Sequence, residues 1–190
     1  MNKQLFGLAI GAAVFLTGCI ATSIHPFYTS KDVVFEPGLL GQWTNTEANQ
    51  RWAFQRAGAE AYHLIYLSEE GKTNLATAHL FKLNGQSFLD FVSAEPECEV
   101  LPPPAPSHFL LRVTQLAPSV KLALLNHDWL KNSLEKDPKL LRHALVGDKP
   151  DDTRVVLTGE TPELQQFLRA HLETAQAWQD PFELKRASAR

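Results

Sequence analysis

The 190 residues hold only two cysteines, Cys19 and Cys98, so one disulfide is the most the chain can form and no multi-bridge framework supports its fold. No run of Lys or Arg occurs, the formal charge is −3 and the sequence pI is about 6.2, which excludes a basic nucleic-acid-binding surface. No apolar stretch reaches the roughly 20 residues that span a bilayer as a helix. There is no Gly-x-Ser-x-Gly elbow and no phosphate-cradling glycine loop. None of the seven histidines, His25, His63, His79, His108, His127, His143 and His171, lies three to five residues from another histidine or cysteine. That leaves no local metal-ligand pair. His127-Asp128 is the one close acid–base pair, and adjacent side chains on a helix point apart. No catalytic residue, metal or cofactor is therefore expected, and the chain is read as not an enzyme. There is no internal repeat.

What is present is ordinary globular material. Hydrophobic residues make up 44% and charged residues 21%, enough to bury a core in one domain. The first 18 residues stand apart. Lys3 gives a positive start, Leu5 to Phe15 is uncharged and apolar, and Leu16-Thr17-Gly18-Cys19 follows. This segment is too short to cross a membrane and is patterned as an export signal. Leu16-Thr17-Gly18-Cys19 resembles the bacterial lipobox. The resemblance implies cleavage of residues 1–18, lipidation of Cys19 and a lipid bilayer as first partner. Two or more acyl chains hold a protein stably at a membrane. Ile20 is not the aspartate that retains such lipoproteins in an inner membrane, so the implied location is the outer membrane, facing the periplasm. Lipidation uses up Cys19 and leaves Cys98 unpaired. The carboxylates of Glu95, Glu97 and Glu99 disfavour its thiolate and make it a poor nucleophile.

Residues 19–38 read as an irregular N-terminal segment. Ile24, Phe27, Tyr28, Val33 and Phe35 make it too apolar for a floppy tether, so it is expected to lie against the domain of residues 39–184. From Leu39 to Val92 the pattern is a strand meander: 41–45, 51–55, 62–67, 76–83 and 87–92. Asn84-Gly85 has the chemistry of a type I′ hairpin turn, and Gly58 and Gly71 lie in hairpin-length connections. Five prolines, Pro96, Pro102, Pro103, Pro104 and Pro106, make 93–107 a loop. It is read either as a lid over a barrel mouth or as a spacer. Strands 109–114 and 120–125 follow. Asn126 reads as the N-cap of a helix through Lys136, and Asp137-Pro138 as the start of a second, short helix. Arg154–Thr158 is read as the eighth and last strand. Thr161-Pro162-Glu163 opens a helix whose Leu164, Phe167, Leu168 and Leu172 share one face, with Trp178 as its extension. Lys185 to Arg190 read as a frayed end.

Eight antiparallel strands can close into an up-and-down barrel, with the C-terminal helix on its wall and a helical insert before the last strand. A two-sheet sandwich is the alternative. Leu39-Leu40-Gly41-Gln42-Trp43 resembles the Gly-x-Trp opening of the lipocalins and related calycins. That resemblance implies a mainly β, lipocalin-like barrel with Trp43 as the plug of its closed end. The family's late arginine, which packs near the tryptophan, is matched poorly by Arg154. The chain is also similar to uncharacterised bacterial lipoproteins carrying a Ser-Ile-His-Pro-Phe-Tyr segment, here Ser23 to Tyr28. Tyr62, Tyr66, His63 and His79 on neighbouring strands are candidate cavity-lining residues. Asp90, between Leu89 and Phe91, is either outward and solvated or inward with a partner such as Arg112. Two functions fit: a membrane-anchored barrel holding a small apolar ligand, or an envelope interaction or assembly protein whose partner is another envelope protein.

Overall fold

The computed structural model describes residues 20–93, 107–147 and 153–187. Its strands are β1 (Thr22–Ser23), β2 (Gly41–Asn45), β3 (Gln50–Ala57), β4 (Ala61–Leu67), β5 (Thr73–Leu83), β6 (Gln86–Ser93), β7 (His108–Gln115), β8 (Val120–Leu124), β9 (His143–Val146), β10 (Arg154–Leu157) and β11 (Phe182–Arg186). The two α-helices are α1 (His127–Lys136) and α2 (Thr161–His171). Strands β2 to β8 run as an antiparallel meander. β11 lies between β8 and β2, and β6 pairs with β7, so eight strands close an antiparallel barrel. Strands β1, β10 and β9 extend the sheet outward from β7.

Local chemistry explains the meander. Asn84 and Gly85 both have positive φ, 49° and 79°, as the turn joining β5 to β6 requires. In β3 and β4 burial alternates, placing Trp52, Phe54, Tyr62, Leu64 and Tyr66 inside and Arg51, Gln55 and His63 outside. Strand β6 breaks this alternation: Phe88, Leu89, Asp90 and Phe91 are all buried in succession. Its outer face is therefore covered too. The cover is a second core in which Leu164, Phe167, Leu168 and Leu172 from the end of the chain pack with Phe81, Phe88 and Leu110 of the barrel wall. The N-terminal segment shares that cover. Val34 N–H donates to the Leu80 carbonyl at 2.8 Å and Lys82 N–H to that of Asp32 at 3.0 Å.

Three expectations are corrected. Arg154–Thr158 does not close the barrel. Its strand, β10, pairs with β9 and in parallel with β1, and buries Val155 and Leu157 under the helices. The eighth barrel strand is β11, at the end expected to fray. Its inward Leu184 is flanked by Glu183 and Lys185, a short alternation easily read as a charged tail. Helix α2 is consequently followed by a strand rather than ending the fold. The helix expected from Asp137-Pro138 is a single turn, closed by Leu140 N–H on the Asp137 carbonyl at 3.0 Å, and a bend leading into β9. Trp178 lies beyond the end of α2 yet packs on the same core, its indole N–H donating to the His171 carbonyl at 3.3 Å. The other helix starts hold. Asn126 Oδ1 accepts from Asp128 and Trp129 N–H, each at 3.1 Å, and Glu160 and Glu163 form a reciprocal capping box at α2.

Candidate functional site

The lumen of the barrel is filled. Trp52 of β3 meets Phe91 of β6 with ring centroids 6.2 Å apart, and Phe182 of β11 at 6.0 Å. Those strands are not neighbours, so the rings touch across the interior. Tyr66 packs edge-on against Trp52 at 5.1 Å, and Phe54 reaches both Tyr62 at 6.2 Å and Phe91 at 6.5 Å. Leu80, Leu89, Phe91, Leu111, Leu122 and Leu184 expose no surface to water. An eight-stranded barrel either fills its interior with side chains or admits one small ligand, and here the side chains occupy it.

One end is sealed by the residues around Gly-x-Trp. Trp43 is buried, and its indole N–H donates to the Leu39 carbonyl at 2.8 Å within a short 3₁₀ turn, Pro37–Leu39. The guanidinium of Arg186 lies 4.4 Å from the Trp43 ring centre and donates to the carbonyls of Leu40 at 3.2 Å and Gly38 at 2.9 Å. Gly41 has φ +119°, and a Cβ there would meet Arg186 Nη1 at 2.8 Å, so the glycine of the motif leaves room for the arginine. The late arginine packed on the tryptophan is thus Arg186 and not Arg154, which is exposed on β10. These features are compatible with a lipocalin-like fold.

The residues expected to line a cavity separate. Tyr62 and Tyr66 face the interior, but His63 is exposed on the outer wall, because alternation sends it opposite to Tyr62. His79 lies on the outer face of β5, where Tyr28 stacks on it at 4.7 Å. Tyr62 secures the sealed end: its hydroxyl accepts from Glu36 N–H at 2.7 Å, and Phe35 stacks on its ring at 4.9 Å.

Asp90 is 1% exposed and His108 8% exposed, which makes them the chief buried polar pair. Asp90 Oδ1 lies 2.7 Å from His108 Nδ1, and its Oδ2 accepts from Phe27 N–H at 2.9 Å. The expected alternatives for Asp90 are both replaced. It is not solvated, and Arg112 instead donates to the Leu172 carbonyl at 2.8 Å and to Gln86 Oε1 at 3.0 Å. The segment Ser23–Tyr28 crosses the outer wall above this pair. Thr161 Oγ1 donates to the Pro26 carbonyl at 2.7 Å, and Gln165 Nε2 to that of Phe27 at 3.1 Å. A carboxylate set between apolar neighbours in β6 was the only signal in the sequence for this site; its histidine partner lies 18 residues away.

Burial governs titration around these groups. Tyr28 is pushed up to about 12 by burial and by the Asp90 charge, and Tyr66 to about 12 by burial and by Glu69. Burial also raises Tyr62. The protonated phenols are thus favoured in the folded state. Stability from this source is complete below the ordinary tyrosine value near 10 and declines as pH rises towards 12. Spectroscopic titration at alkaline pH should show all three tyrosines of the folded protein ionising only above the ordinary tyrosine value near 10. Appearance of tyrosinate at or below pH 10, without unfolding, would contradict the buried placement.

Comparison with protein-family models, curated proteins and solved structures finds no match to this chain.

Outside the barrel, an open groove of about 1080 Å³ runs over the outer wall of β11, β2, β3 and β4. Its lining includes Thr44, Arg51, Ala53, Ile65, Leu67 and Lys185. Cationic ends thus sit beside a strip of apolar side chains. Leu75, paired with Ile65 in the neighbouring strand, continues that strip and is 52% exposed. Among the described residues no group of three His, Cys, Asp or Glu side chains converges to hold a metal ion. Leu16, Thr17, Gly18 and Cys19 lie outside the described residues, as do Cys98 and most of the proline-rich loop. The first described residue, Ile20, packs against the barrel core, and Ala21 is buried in the second core.

Proposed function

We propose that this chain is a lipoprotein held at a bilayer by acyl chains on Cys19, and that its barrel is a solid scaffold acting on other envelope components through its outer surface. The carrying observation is that the lumen is occupied by its own rings while the broad groove lies outside. The address rests on Lys3, the apolar stretch after it and Leu16-Thr17-Gly18-Cys19. That address favours the outer membrane, facing the periplasm. In the groove, Arg51 and Lys185 beside Ile65 and Leu67 suit an extended segment of a partner protein carrying both apolar side chains and carboxylates.

The reading in which the barrel holds a small apolar ligand needs space that Trp52, Phe54 and Phe91 now fill. Native mass spectrometry separates the two readings. The mature protein is expected at the mass of polypeptide plus acyl groups, with nothing further bound. A stoichiometric apolar molecule co-purifying with it would restore the container reading. For the groove, the double variant Arg51→Glu, Lys185→Glu should fold normally and lose at least tenfold in recovery of co-purifying envelope proteins. An unchanged set of partners would overturn the assignment. Blocking the lipoprotein signal peptidase should accumulate the uncleaved form; no accumulation would remove the anchor.

A further inference from the structure

We propose that one face of the sheet extension, made by β1, β10 and β9, lies directly on the bilayer surface, so that the anchor fixes the orientation of the barrel as well as its location. The inference rests on the lipidation of Cys19 argued above.

The tether leaves almost no slack. Ile20 already packs against the barrel core, and β1 begins at Thr22. One residue spans at most about 3.6 Å, so the acyl-bearing cysteine sits within a residue's length of packed structure. The bilayer must therefore meet the protein close to residue 20.

Register shows what lies there. Thr22 is opposite Val156, and Val156 is opposite Ala144. Continuing the parallel β1–β10 register by one pair of residues sets residue 20 opposite Arg154, which is itself opposite Val146. Strands are spaced about 4.8 Å apart, so Val146 lies roughly 10 Å from residue 20. Alternation then separates two faces. Ala21, Val155 and Leu157 point into the helix-covered core. Thr22, Val156, Ala144, Val146 and Arg154 share the opposite face.

Its chemistry fits the headgroup boundary of a membrane. On this face Val146 is 45% exposed; Leu145, next to it and 41% exposed, is opposite Val155 and so projects from the other side of the same edge strand. Among the described residues β9 ends the sheet order, and no strand pairs with its outer edge. A bare apolar edge is a liability in water and is satisfied at a lipid interface. Arg154 is exposed on the same face, placed to bond lipid phosphate. No independent affinity is needed, because the anchor makes the contact intramolecular.

The test uses the mature, lipidated full-length protein in a Cys98→Ser background, in vesicles of phosphatidylethanolamine and phosphatidylglycerol. A fluorophore is placed through Val146→Cys, or through Gln55→Cys on β3, the strand diametrically across the barrel ring from β7. Lipids carrying a headgroup-level quencher should quench the label at position 146 several-fold more than the label at 55. Adding Arg154→Glu should reduce that difference by at least half. Equal quenching at both positions in acylated, vesicle-bound protein overturns this orientation and leaves the anchor standing. Self-quenching between labels at 146 would reveal edge pairing of two copies, and also overturns it. An unmodified Cys19 in the mass spectrum removes the anchor and the orientation together.

Discussion

Replacing Phe91 with alanine should destabilise the protein by about 3–5 kcal/mol and open a binding cavity in the space its ring now fills. Phe91 is fully buried, stacks on Phe109 at 4.7 Å and meets Trp52 across the lumen. Removing its ring loses both the transfer free energy and the dispersion contacts of every ring around it. The barrel wall is tied by hydrogen-bonded ladders on both sides of β6, so it cannot collapse to fill the void. A dry apolar cavity of that kind binds small hydrocarbons such as benzene. Calorimetric or chemical denaturation gives the loss. A benzene-dependent rise in Tm is expected in Phe91→Ala and not in the wild type. A wild-type protein that benzene stabilises to the same extent would show that the lumen already holds usable space.

The second large effect belongs to Asp90. Changing it to alanine should cost about 3–5 kcal/mol, because a buried polar pair is broken with one member left behind. Two groups lose their acceptor at once, the His108 ring and Phe27 N–H. The second loss reaches beyond the pair, since Phe27 N–H holds the N-terminal segment to the barrel wall. Asp90→Asn should cost less, about 1–3 kcal/mol, because an amide can still accept from Phe27 and donate to a neutral imidazole. Hydrogen exchange should show the Asp90→Ala loss concentrated in residues 24–34 and in β6. A uniform loss over all strands, or an alanine variant as stable as the asparagine one, would contradict the role of this pair as a fastener.

His79 adds a milder pH effect on the same wall. Burial lowers its proton affinity, and the neighbouring His108 acts in the same direction, against the opposing pull of Asp90. A base whose folded-state value is depressed stabilises the fold above its unfolded value near 6.5, and that contribution fades as pH falls through the folded value.

Much of the architecture was legible because it is local. The period-2 alternation in β3 and β4, the Asn84-Gly85 turn, the Asn126 cap and the Thr161-Pro162-Glu163 start each depend on a few adjacent residues. The misreadings share a different character. Arg154–Leu157 has the same alternation as a barrel strand, and only its neighbours reveal that its inner face meets helices. His63 and Tyr62 are adjacent and equally plausible as lining, until the register decides which one points in. Arg186, at the end of the chain, packs on a tryptophan near its start, a contact without local signature.

By itself the sequence determined the strand meander, its turns and both helix starts, since each is written in short-range propensity or in a contiguous pattern. Tertiary structure alone decided that β11 closes the ring, that the lumen is full and that Asp90 answers to His108. Ring closure, interior volume and buried polar pairing are sums over residues brought together from distant parts of the chain, and no stretch of adjacent residues contains them.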